Sequence, residues 1–164
     1  MMKLIVSCLV CLALAGCGGY RPLYGTASDG TDVTTTLSAI GVPEQRSRTG
    51  QLVRNELLSG LGTGGVSSYE LRLTVAEGIG GVSSTPSTVV YRKRFNLSVH
   101  YELVQLSSGK TINSGTSFSN VSYDAIREPV ADLQAADNAR VKATTQVGQD
   151  MRLRLAAFMA TRKS

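Results

Sequence analysis

The chain contains no Trp, one His, three Cys and four Pro, and its aromatic content is only 5%. Each scarcity removes a class of function. Cys8 and Cys11 lie inside an N-terminal apolar run, so only Cys17 remains for the folded part and an internal disulfide framework is excluded. One His and one Cys cannot assemble a Cys/His zinc site. His100 is the sole imidazole and stands beside Glu102 in a strand-like stretch, and no Gly-x-Ser-x-Gly turn occurs. A nucleophile would therefore lack both a base and a group to orient that base. Glu70 and Glu102 can share a sheet face, but nothing marks them as a paired acid and base. The glycine- and serine-rich stretch 78–88 is not followed by the Gly-Lys-Ser/Thr of a phosphate loop. The residues argue against an enzyme, a metal site or a bound cofactor. Seventeen Lys and Arg against twelve Asp and Glu give a net charge of +5, too mild and too scattered to imply nucleic acid as a partner.

What is present begins with a processing signal. Met1-Met2-Lys3 is a short positive start, Leu4 to Leu14 is apolar, and Leu14-Ala15-Gly16-Cys17 follows. The apolar run is too short to span a bilayer in a finished protein, and the plan is that of a secretory signal. Its last four residues resemble the bacterial lipobox. The resemblance implies diacylglycerol on the Cys17 thiol, cleavage before Cys17 and acylation of the new N-terminus. Residue 18 is Gly, not the Asp that holds many such proteins at the inner membrane, and this favours the outer membrane. Several long acyl chains, at about 0.8 kcal/mol per buried methylene, anchor a protein stably to a membrane. The expected division is a signal peptide at 1–16, a lipidated N-terminus and tether at 17–30, and one domain at 31–164.

Within that domain, Val33 to Val42 is rich in Thr, Val and Ile and predicts a first strand ended by Pro43. Leu52, Val53, Leu57, Leu58 and Leu61 fall at helical spacing, starting near Ser47 to Thr49 and ending at Gly60 and Gly62. Tyr69, Leu71, Leu73 and Val75 alternate with polar residues as a half-buried strand, and 78–88 reads as a mobile loop. Phe95, Leu97, Val99, Tyr101 and Leu103 form the clearest strand face, with Arg92, Arg94, Asn96, Ser98, His100 and Glu102 on the other. Ser107 to Lys110 reads as a hairpin turn, and Thr111 to Val121 as a Ser/Thr-rich strand whose few apolar residues are Ile112, Phe118 and Val121. Pro129 suits the first turn of a long helix. Its apolar stripe would be Val130, Leu133, Ala136, Ala143, Val147, Met151, Leu155 and Phe158, with Gly148 weakening the middle. The order β-α-β-β-β-α predicts an α+β fold: a two-layer sandwich, a mixed four-stranded sheet with two helices on one face and an open, polar second face.

The remaining signal is basic. Arg92-Lys93-Arg94 leads into the best strand and Arg72 alternates outward on its neighbour. Planar guanidiniums suit phosphate oxygens through forked hydrogen bonds. The same residues also read as a solubilising surface that discourages edge pairing.

The stretch from Leu14 to Gly25, with Cys17 followed by Gly18-Gly19-Tyr20-Arg21-Pro22-Leu23-Tyr24-Gly25, resembles the LPS-assembly lipoprotein family, LptE. A weaker likeness lies in Val121-Ser122-Tyr123-Asp124 before the Ala-rich last helix. The resemblance implies a non-enzymatic partner of the outer-membrane barrel LptD, in a 1:1 plug-and-barrel pair, that assists barrel assembly and binds LPS on its way to the outer leaflet. On this reading Arg72, Arg92, Lys93 and Arg94 are candidate LPS-phosphate contacts. Tyr20, Arg21, Pro22, Leu23 and Tyr24 are candidate membrane or barrel-rim contacts. The alternative is an outer-membrane-anchored auxiliary lipoprotein of an envelope lipid transporter.

Overall fold

The computed structural model describes residues 33–62, 66–83, 90–126 and 128–162. The signal segment, Cys17 and Tyr20 to Tyr24 lie outside the described residues. The elements are α1 (Val33–Ser38), β1 (Ile40–Gly41), α2 (Arg48–Leu61), β2 (Tyr69–Ser83), β3 (Val90–Gln105), β4 (Lys110–Ile126) and α3 (Pro129–Thr161). The sheet order is β1-β2-β3-β4, with β1 parallel to β2 and the other pairs antiparallel. The fold is α+β around a mixed four-stranded sheet, as expected.

Alternation divides the sheet. Leu71, Phe95, Leu97, Val99, Tyr101 and Leu103 are buried on the face that meets α2 and α3. The register stacks Leu71 beside Leu103, Leu73 beside Tyr101 and Val75 beside Val99. Val53, Leu57 and Leu61 of α2 and Ala143, Val147, Met151 and Leu155 of α3 complete this core. Each large apolar side chain so buried contributes about 1.5–3 kcal/mol. The Ser47 hydroxyl caps α2 by accepting from the Gly50 N–H at 3.0 Å.

Four details differ from the sequence reading. Val33–Ser38 is helical, and only Ile40–Gly41 of the expected first strand pairs. The β-branched run gives way because α1 delivers Leu37, 1% exposed, into the core. β2 runs through Gly78, Gly80 and Gly81 to Ser83, where a loop was expected, because β3 supplies partners from Asn96 to Arg92. On α3, Val130 and Leu133 are exposed rather than part of the apolar stripe. The 14-residue α2 begins at Arg48, which pairs with Asp137, so the first turns of the 33-residue α3 extend past it. Gly148 is a point of close approach: a Cβ there would run into Glu56 of α2, 3.0 Å from its Cβ.

Candidate functional site

The sheet face turned away from the helices carries Arg72, Thr74, Ala76, Gly78 and Gly80 on β2. Beside them on β3 are Arg92, Arg94, Asn96, Ser98, His100 and Glu102, and on β4 Thr116, Phe118, Asn120, Ser122 and Asp124. At one end Arg72 donates to Glu70 at 2.7 Å, with Glu102 opposite it in the register. That hydrogen bond, with the Glu70 charge, raises the Arg72 pKa above its ordinary value. His100 Nδ1 lies 3.2 Å from Thr116 Oγ1 and its Nε2 3.9 Å from Glu102, all at the surface. At the other end Arg92 pairs with Asp124 at 3.1 Å.

Arg94 is different. Among the described residues its guanidinium has no hydrogen-bond or ion-pair partner. With Gly80, Gly81 and Asn96 it lines a shallow hollow of about 290 Å³. The side chains of Asn96, Ser98, Asn120 and Ser122 likewise make no hydrogen bond within the described residues. Phe118 stands among them with 71% of its surface exposed. Sequence reasoning named Phe118 only as an apolar strand residue. Its parity differs from that of Val121, and strict alternation then sets the two on opposite faces.

The four basic candidates do not form one cluster. Arg72 sits opposite Glu102, and Arg94 opposite Gly80. Eight positions along a strand separate them, roughly 26 Å at about 3.3 Å per residue. Lys93 alternates to the helix side, where it donates to Asp132 of α3 at 2.8 Å. That hydrogen bond raises its pKa. Arg92 and Arg94 alone share the open face at the β3 start, and only Arg94 is unpaired.

Most polar groups on the covered face are held by partners, while the buried Asn113 Oδ1, opposite Leu103, and Asp132 Oδ1 make no hydrogen bond among the described residues. Ser117 donates to Asp150 at 2.6 Å, Ser119 to Gln146 at 2.5 Å, and Thr49 to Glu77 at 2.5 Å. Arg140 reaches Glu77 at 3.5 Å while its guanidinium covers the Phe95 ring at 5.4 Å. Desolvation pushes Asp150 up, but hydrogen bonds from Ser117 and Arg154 outweigh it and its pKa falls below the ordinary value. Burial raises the Tyr101 pKa. These groups close the core and are spent on the fold. Among the described residues no set of three metal-ligating side chains converges, and no helix is long and apolar enough to cross a membrane.

Solved structures that this fold resembles include bacterial lipoproteins. A lipoprotein structure from Caulobacter crescentus CB15 superposes with a TM-score of 0.68 at 26% identity, covering 79% of this chain and 97% of that one. A minor lipoprotein from Acinetobacter baumannii matches at 0.53 and 12% identity over 73% and 91% of the two chains, a likeness of fold alone. The rare lipoprotein B of Shewanella oneidensis aligns at only 0.37 and 17% identity, over 73% and 87%, and carries no inference. No family model matches the sequence, and the search of curated proteins returns no match.

Proposed function

We propose that this chain is a non-catalytic outer-membrane lipoprotein, anchored at the periplasmic face through lipid on Cys17. On this reading it binds and plugs an LptD-type β-barrel, assists its assembly and helps deliver LPS to the outer leaflet. The observation that carries the reading is the uncovered sheet face. Large outer-membrane barrels have polar interiors, and this face is polar, unpartnered at its centre and supplied with a free guanidinium at Arg94. LPS phosphates are suitable acceptors for that guanidinium. The Leu14 to Gly25 resemblance and the likeness to the Caulobacter lipoprotein support the same reading.

The test is extraction of the full tagged chain from its own envelope in mild detergent, followed by mass spectrometry of what accompanies it. The expected companion is an LptD-type barrel at about equal amount, lost with Cys17→Ala. Recovery with the components of an inner-membrane-to-outer-membrane lipid transporter, and no barrel, would replace this reading with that of an auxiliary transporter lipoprotein.

A further inference from the structure

We propose that the centre of the open sheet face is a glycan platform. Phe118 stacks on the apolar face of a sugar ring, Asn96 and Asn120 hydrogen-bond its hydroxyls, and Arg94 takes an anionic substituent at one end. The proposal rests on the reading of the chain as an LPS-binding lipoprotein and specifies which part of such a ligand this face recognises.

Three observations converge. First, Phe118 is the one large apolar side chain exposed on this face among the described residues. It is ringed by polar or small neighbours, with Ser98 directly opposite and Ala76 beyond it on β2. A protein partner docking through apolar burial would want several such side chains, whereas a pyranose needs one ring for its C–H face and polar groups around the edge. Aromatic rings serve this role because they offer a flat, weakly negative surface.

Second, the polar neighbours on the Arg94 side of Phe118 are unspent, whereas His100 and Thr116 on its other side lie 3.2 Å apart. Asn96 and Asn120 face each other in the register and neither amide is hydrogen-bonded within the described residues. Each presents two donors and an acceptor oxygen, matching hydroxyls that both give and accept. The polar groups at either end of the same face are engaged, Arg72 with Glu70 and Arg92 with Asp124.

Third, the floor is low. Gly80 lines the hollow beside Arg94 and Asn96, and on this face a Cβ added at Gly78 would meet nothing within 4 Å and one at Gly80 only the Asn96 amide nitrogen at 3.8 Å. From Arg94 to Ser98, the partner of Phe118, is four positions along β3. At about 3.3 Å per residue that is roughly 13 Å, the span of about two linked pyranose rings with a charged substituent at one end.

The experiment titrates the full chain in detergent with three probes: deacylated, phosphorylated LPS oligosaccharide, the same oligosaccharide after dephosphorylation, and inorganic phosphate. Phe118→Ala and Asn96→Ala are each expected to weaken oligosaccharide binding about tenfold, with Phe118→Tyr restoring it because the ring is kept. Arg94→Ala should erase the preference for the phosphorylated form. Binding of inorganic phosphate should not respond to Phe118. Oligosaccharide binding that is unchanged in folded Phe118→Ala and Asn96→Ala overturns the platform, and leaves an anion site if only Arg94→Ala matters. Intact LPS added to the same variants separates the two levels. LPS binding that ignores Phe118 defeats the platform alone, whereas oligosaccharide binding through Phe118 with no binding of intact LPS defeats the LPS reading and sustains the platform.

Discussion

The two faces of β2, β3 and β4 are built from alternate residues of the same strands, yet they meet their polar groups in opposite ways. On the helix side Ser117, Ser119, Glu77 and Lys93 each reach a partner on α2 or α3. On the open side Arg94, Asn96, Ser98, Asn120 and Ser122 reach none among the described residues. Burial explains the first pattern, since a polar group withdrawn from water without a partner costs about 1–3 kcal/mol. Water satisfies the second group at no cost, so those residues are free to be exchanged onto a ligand. One face therefore carries the stability of the fold and the other is available for recognition.

The largest expected effect lies on the covered face. Phe95→Ala, at 1% exposure, removes a core ring and the surface under Arg140, and should lower unfolding free energy in urea by about 3–5 kcal/mol. Gly148→Ala comes next. The clash with Glu56 should cost about 1–3 kcal/mol, offset by about 1 kcal/mol of helix propensity, for a net loss near 1 kcal/mol in the same assay. A gain in stability would mean that α2 and α3 do not approach closely there.

Asp150 sharpens the comparison through pH. Its folded pKa is depressed, so its contribution is present above the unfolded carboxylate value of about 3.9 and is lost as pH falls through the lower folded value. Asp150→Asn should flatten that acid limb in thermal melts, and at neutral pH cost under about 1 kcal/mol because the pair with Arg154 is partly exposed. The smallest effect belongs to the open face: Phe118→Ala should leave stability within about 0.5 kcal/mol. A loss of several kcal/mol would show that Phe118 is a packing residue and erase the contrast between the faces.

Much of this division was legible in the sequence. The alternation from Arg92 to Leu103 is strict, so it assigned Arg92, Arg94 and Asn96 to one face and the core residues to the other before any pairing was known. Ser47, Gly62 and Pro129 marked helix ends through their own backbone and capping chemistry. The misread segments were those whose fate depends on distant partners. Glycines 78, 80 and 81 carry no side-chain pattern, and their strand state comes from the register with β3. The exposure of Val130 and Leu133 follows from where α2 happens to start. The site was legible only in part. Lys93 follows from alternation, but the 26 Å separating Arg72 from Arg94, roughly eight residues of strand, needed the antiparallel register.

The most direct test compares two charge reversals at the two ends of the open face. Arg94→Glu and Arg72→Glu are introduced separately into the full chain, circular dichroism confirms that both fold, and LPS binding is titrated at fixed salt, since exposed charges more than about 8 Å apart are screened at physiological ionic strength. Arg94 is unpaired and lies beside the hollow, whereas Arg72 is engaged by Glu70. The account predicts that Arg94→Glu weakens LPS binding at least tenfold while Arg72→Glu changes it less than twofold. Binding lost with Arg72→Glu and kept with Arg94→Glu, or kept with both, would contradict it.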